Sequence, residues 1–299
     1  MYNGIINVYK EKGYTSFDVV ARLRGILHQR KAGHTGTLDP DAEGVLVVCL
    51  GRATRLVQLL TEKTKEYICV MQLGVSTDTE DMSGKILKSC DDIPDEKRVR
   101  EAVSSFIGEI DQIPPMYSAI KQGGKRLYEL AREGKTVERK SRRVVINDIE
   151  IQKIQLPLVT MKVNCGSGTY IRSLCRDIGE KLGCGAAMKS LLRTESGSFG
   201  IKEALKLDEI EKLAKDDPGQ KLGGRLITLE DFFSDLPAVK VREEGEKKLK
   251  NGNVVRPEET DADAAEKNCR VRMYDCGGKF AAVYVFDGKE YKCDLFLSE

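Results

Sequence analysis

The stretch Gly33-His-Thr-Gly-Thr-Leu-Asp-Pro-Asp-Ala-Glu-Gly44 constrains this chain more than any other. Its Gly, Pro and Asp residues bar both helix and strand, because each favours turns or backbone regions that regular elements avoid. Upstream, Val19, Val20, Leu23, Ile26 and Leu27 recur at helical spacing, and Thr15 with Asp18 three residues on has the form of a capping box opening that helix. Downstream, residues 45–50 form an unbroken apolar run, read as a buried strand. A loop pinned between a helix and a buried strand exposes its side chains on a rigid base. On it, Asp39 can act as nucleophile, general base or metal ligand, or simply start the turn ahead of Pro40.

The rest of the chain reads as mixed elements. Residues 4–9 predict a short strand, Leu56, Leu59 and Leu60 a second helix, and residues 66–73 a strand with Tyr67 near its start. Residues 76–84 read as a loop and residues 95–107 as a third helix, marked by Val99, Val103 and Phe106. Residues 144–154 and 158–165 predict paired strands across a Gln-Leu-Pro turn. Gly166-Ser-Gly-Thr169 opens a further helix, which Gly183 and Gly185 close. From Asp208 the pattern weakens into a polar helical linker through Ala214 and a charged loop to Gly224, the expected seam. After Pro237, short β-like pieces at 239–241, 271–274, 280–286 and 291–296 predict a small β-rich module of about 60 residues. The expectation is an α+β domain over residues 1–235 around a largely antiparallel mixed sheet, followed by the module at 236–299.

Composition excludes several classes. No stretch approaches the roughly 20 apolar residues of a membrane span, and the N-terminal residues lack a basic leader and an apolar core, so the expectation is a cytoplasmic protein. Nine cysteines, scattered and never spaced C-x-x-C, read as reduced structural thiols. With only two histidines to activate one of them, a catalytic cysteine is disfavoured. The net charge of +2 does not announce a polyanionic partner, but its distribution does. Between Lys121 and Arg143, nine basic residues face three acidic ones, a net +6. Among them are Lys121, Lys125 and Arg126, with Tyr128 interleaved, a composition suited to gripping phosphates beside a folded RNA. Gly123-Gly124 reads as a hinge for this segment.

Gly-His-Thr-Gly-Thr-Leu-Asp-Pro-x-Ala-x-Gly-Val-Leu resembles the signature of TruB-type tRNA pseudouridine synthases. Similar segments follow in order: Lys65-Glu-Tyr67, Thr77-Asp-Thr-x-Asp81, Gln112-x-Pro-Pro-x-Tyr-Ser-Ala-x-Lys121, Gly168-Thr-Tyr-Ile-Arg172 and Leu182-Gly-Cys-Gly-Ala186. Beyond Pro237 the likeness is to a PUA-like RNA-binding module. The resemblance implies a pseudouridine synthase fold and isomerisation of the T-loop uridine of tRNA, with Asp39 as nucleophile. It also implies that Tyr67 stacks on the target base, Arg172 pairs with Asp39, Tyr170 and Leu191 line the uracil pocket, and His34 contacts RNA where the flipped base leaves the loop. The basic region around 113–143 would be a mobile insertion closing on the T arm. An Arg beside a carboxylate lowers its pKa, so Asp39 is expected to stay charged without help from a metal. The isomerisation breaks the N1 glycosidic bond, turns the uracil and rejoins it through C5, with no redox change. No cofactor, metal or obligate protein partner is therefore expected, and the chain is read as a monomer. An RNA-folding activity is compatible with this reading. One departure is local: the family usually has Lys-Pro-x-Gly where this chain has Lys10-Glu11-Lys12-Gly13.

Two rivals differ in class. Asp39 and Asp41 together suggest a magnesium-dependent phosphatase, but such a pair should end an apolar strand, and Gly-His-Thr-Gly-Thr precedes Asp39 instead. An RNA-binding module without turnover would keep the basic segment but would not need Asp39, Tyr67 and Arg172 together.

Overall fold

A computed structural model describes residues 1–215, 217 and 219–297. In chain order the principal elements begin with β1 (Gly4–Lys10), α1 (Ser16–Ile26), β2 (Ala32–His34), β3 (Glu43–Leu50), β4 (Lys65–Leu73), α2 (Glu96–Ser104) and β5 (Gly108–Gln112). They continue with β6 (Arg142–Gln155), β7 (Leu158–Cys165), α3 (Ile171–Leu182), β8 (Ala186–Ser196), β9 (Phe199–Gly200) and α4 (Leu207–Lys215). The C-terminal part holds β10 (Ala238–Lys240), α5 (Glu243–Lys250), β11 (Arg270–Tyr274), β12 (Phe280–Phe286) and β13 (Tyr291–Phe296).

β1 to β9 form one sheet in the order β1-β3-β8-β4-β7-β6-β5, with β2 beside β3 and β9 beside β8. Every pairing in it is antiparallel except β8 with β3, which makes the expected α+β, largely antiparallel mixed sheet. Apolar side chains of β1 and β3 alternate between two cores. Ile6, Val8, Leu46, Val48 and Leu50 pack under α1 and α4, whereas Ile5, Val45, Val47 and Cys49 point to the other side. Burial on both faces is why residues 45–50 read as a continuous apolar run rather than an alternating one. β4 and β7 instead bury alternate residues beneath α2 and α3. The parallel junction needs Gly44, which has φ +105°; a Cβ there would lie 2.2 Å from the Arg193 carbonyl oxygen.

Several expectations are corrected. β8 lies in the middle of the sheet, yet nothing in residues 186–196 suggested a strand. Its pairing with β4 slips between Met188 and Ser190 and again between Arg193 and Glu195, so the period-two pattern that marks a strand is broken twice. Residues 208–214 are not a linker: α4 buries Leu207 and Ile210 against α1 and the adjoining sheet. Its apolar signal is weak because these are its only fully buried positions. The charged loop that follows includes residues 216 and 218, which lie outside the described residues.

The second sheet runs β10-β11-β12-β13 and carries α5, which the sequence reading missed because Leu249 is its one buried large apolar residue. Phe280, Val283 and Leu297 share an apolar layer with Val45, Val47, Leu229 and Phe233. The Phe233 and Phe280 rings lie 6.3 Å apart.

Candidate active site

The loop after β2 is held from three directions. At the end of β1, the buried Lys10 ammonium donates to the carbonyls of Ala42 at 2.6 Å and Pro40 at 3.2 Å, and the Gly13 amide donates to Pro40 O at 2.9 Å. Gly13 has φ +91°, so Lys10-Glu11-Lys12-Gly13 makes its turn without the family's proline. At the start of α1, which opens with the expected Thr15–Asp18 capping box, the buried Ser16 hydroxyl accepts from Leu38 N at 2.8 Å and donates to Leu38 O at 3.2 Å. From β8, the buried Arg193 guanidinium donates to Gly36 O at 3.1 Å and Val45 O at 2.6 Å.

So pinned, the loop presents Asp39 to Arg172, near the start of α3. Arg172 Nε lies 2.9 Å from Asp39 Oδ2, and its Nη2 donates to Asp39 Oδ1 at 3.0 Å, a two-pronged contact. The same guanidinium donates to Tyr117 O at 2.8 Å and Thr79 O at 3.2 Å, and the Asp81 carboxylate stands 3.9 Å from Nε. Arg172 is 6% exposed and Asp39 33% exposed at their side chains, so the carboxylate keeps an open face. The pKa expectation is corrected here. Burial raises Asp39 above the ordinary carboxylate value, and Arg172 pulls it down without cancelling the rise, with Asp81 pushing it up further.

Tyr67 and Leu191, both selected from the sequence, belong to the same buried cluster as Leu38 of the Asp39 loop. Burial raises the Tyr67 hydroxyl, opposed by the Arg193 guanidinium beside it. Tyr170 precedes α3, its backbone fixed by the Gln112 side-chain amide through bonds of 2.8 and 3.1 Å. His34 ends β2 opposite Val48; burial lowers its pKa, so its ring is neutral at neutral pH. Its Nδ1 is buried without a hydrogen-bond partner among the described residues. Asp41 is 64% exposed and lies 3.8 Å from Lys12, so the Asp39–Asp41 pair of the phosphatase reading is not joined through Arg172; the second carboxylate at that guanidinium is Asp81. Among the described residues, no group of three or more His, Cys, Asp or Glu side chains is placed to hold a metal ion.

Lys121, Lys125 and Arg126 form a separate exposed hairpin. Gly123 and Gly124, with φ +59° and +88°, are its two-residue turn. Tyr128 lies between the guanidinium groups of Arg126 and Arg132, at 5.8 and 5.5 Å. Glu133 bonds Lys125 and Lys135, both at 2.8 Å, and these partners draw its pKa down to about 2.

Sequence reasoning missed Lys10, Ser16 and Arg193 because each acts on backbone carbonyls or amides far along the chain, which leaves no local spacing signal. Asp81 closes the segment Thr77-Asp-Thr-x-Asp81, whose sequence alone assigns it no role.

Comparison with known proteins gives the class first. Residues 24–171 match the TruB family pseudouridylate synthase (N terminal domain), and residues 172–234 match the tRNA pseudouridylate synthase B C-terminal domain. The chain belongs to this family and is a pseudouridine synthase. It is 50% identical to "tRNA pseudouridine synthase B" of Lachnoclostridium phytofermentans over 300 aligned residues, covering 96% of each chain. It is 42% identical to the protein of the same name from Clostridium perfringens over 99% of each. Among solved structures, "Structure of H/ACA RNP bound to a substrate RNA containing 2'-deoxyuridine" aligns with TM-score 0.70 at 25% identity, over 99% of this chain and 85% of that one. "Crystal Structure of a Cbf5-Nop10-Gar1 Complex" aligns with TM-score 0.70 at 29% identity, over 98% and 83%.

Proposed function

We propose that this protein converts the T-loop uridine of tRNA to pseudouridine, with Asp39 as nucleophile and no metal or cofactor. The observation that carries the reading is the Asp39 carboxylate, one face open and the other gripped by Arg172 at 2.9 and 3.0 Å, beside the Tyr67–Leu191 apolar wall. The two N–H bonds favour the ionised carboxylate and aim its free edge outward, the state a nucleophile needs. The target base leaves its stack to reach it, because its reacting atoms are inaccessible in a stacked nucleotide. Tyr67 stacks on the extruded ring, Tyr170 and Leu191 line the pocket, and His34 meets the RNA at the rim. Attack by Asp39 on C1′ displaces N1, the uracil turns within the pocket, and C5 displaces the carboxylate from C1′; the proton lost from C5 is matched by one taken up at N1, so the product is an isomer and Asp39 is regenerated. Lys121, Lys125 and Arg126 grip phosphates of the T arm, and residues 236–299 add a PUA-like RNA-binding surface. The names of the curated relatives, tRNA pseudouridine synthase B, support tRNA as the substrate.

The test is Asp39→Asn beside Asp41→Asn on an unmodified tRNA transcript in excess EDTA. Asp39→Asn should bind RNA and lose turnover by at least ~10^4-fold, because an amide is no nucleophile. Asp41→Asn should match the wild type. Equal loss in both variants, or turnover by Asp39→Asn, overturns the reading.

A further inference from the structure

A second charged network lies directly behind Arg172. Glu80 stands between Thr79 and Asp81 with φ +64°, the left-handed region that non-glycine residues rarely adopt. That conformation sends neighbours in opposite directions. Thr79 O and the Asp81 carboxylate face the Arg172 guanidinium, whereas the Glu80 carboxylate turns toward α3. There it accepts from Ser173 Oγ at 2.6 Å and from Arg176 Nη1. Arg176 also bonds its neighbour Asp177 at 2.7 and 2.9 Å, and its Nη2 donates to Ile113 O at 3.1 Å. Ile113 follows Gln112, whose side chain fixes Tyr170. Arg176 therefore joins the turn that faces Arg172, the helix that bears Arg172, and the root of the basic segment. The Glu80 and Arg176 side chains are 10% and 19% exposed, so this is an interior strut rather than a solvated pair. Joining three segments uses the forked, planar donor set of a guanidinium, which a lysine lacks.

We propose that Glu80 and Arg176 are positioning residues for pseudouridine formation: their ion pair holds the left-handed turn and the 113–120 segment so that Arg172 keeps both of its contacts with Asp39. This rests on the reading of Asp39 as the nucleophile. Thr79 O and Tyr117 O accept from two of the three remaining Arg172 N–H donors, so their placement sets the tilt of the guanidinium toward Asp39. A strut that served stability alone would change the melting temperature and leave kcat unchanged.

The experiment compares wild type, Glu80→Gln, Arg176→Lys, Arg176→Met and the Glu80→Gln/Arg176→Met double variant on the same tRNA transcript, counting only variants with a wild-type circular dichroism spectrum. Arg176→Met should lower kcat by about 10- to 100-fold, the scale of an ångström-level misplacement at a reacting centre, with KM within about twofold. Arg176→Lys should recover part of the loss, since it keeps the charge facing Glu80 but not the bond to Ile113 O. The double variant should be no slower than its slower parent, because both changes break one contact. If kcat stays within about twofold in Glu80→Gln and Arg176→Met, if the loss lies in KM alone, or if the losses multiply, the proposal is wrong. Should Arg176→Met fail to fold, Arg176→Lys with Glu80→Gln reads the same coupling. The modified uridine is mapped in the wild type in parallel. Modification outside the T loop would break the proposed substrate assignment, while the ratio of variant to wild-type rate at that uridine would still decide the strut.

Discussion

The Asp39 loop and the basic segment 121–143 are both irregular and polar, yet they are built oppositely. The loop spans a few residues and is tied by Lys10, Ser16, Gly13 and Arg193, three of them buried. In the basic segment only Leu127 is fully buried, and most of its charges point to solvent or to one another, with Arg139 turned to Pro114 O and Arg143 to Glu109. Chemistry needs one carboxylate held to a fraction of an ångström, and a loop obtains this only by being over-determined. Gripping a phosphate backbone needs charge within reach, which exposed side chains supply without fixed geometry.

The contrast is broken most severely at Arg172. Arg172→Met leaves Asp39 without its partner and should remove almost all turnover. It should also lower stability in urea by about 3 kcal/mol, the low end for a buried pair because a third of Asp39 is open to solvent. Unchanged turnover would mean that the ion pair is only structural.

A smaller effect separates loop from segment by pH. In the proposed mechanism turnover needs the Asp39 carboxylate, and burial raises its pKa, so the acid limb of kcat should lie above the model-peptide carboxylate value of 3.8. Lys10 is pushed down by burial to about 8, so an alkaline limb should appear there as the ammonium that holds Pro40 and Ala42 loses its proton. The stability sign is opposite. Between about 8 and 10.5 the unfolded chain still binds the proton that folded Lys10 has released, so this group's contribution to stability rises while turnover falls. A pH–rate profile beside urea melts across that window tests the pair of trends; a flat rate from pH 7 to 10 would show that the Lys10 charge does not matter to the loop.

The smallest effect is expected in the segment. The Lys121→Ala/Lys125→Ala/Arg126→Ala variant should weaken RNA binding and flatten the slope of log affinity against log salt by about 2 rather than 3, since Glu133 already pairs with Lys125. The loss should fall on KM. A change in kcat of the same size would mean that the hairpin takes part in the chemistry.

What could be read from sequence follows from range. The α1 cap, the 45–50 run and the C-terminal strands are local patterns, and the structure bears them out. The Asp39–Arg172 contact spans 133 residues and came only through resemblance. Lys10, Ser16, Arg193 and the Glu80–Arg176 pair act across the fold, and strand β8 hides behind two bulges, so no periodicity marked them.

β3 touches two cores, one beneath α1 and α4 and one shared with Phe280, Val283 and Leu297 of the second sheet. Peeling this strand away would strip both layers at once, so its amides have no inexpensive route to solvent and exchange hydrogen only when most of the molecule opens. The Asp39 loop is thus anchored to one of the slowest-breathing parts of the protein, and its geometry persists between one RNA and the next.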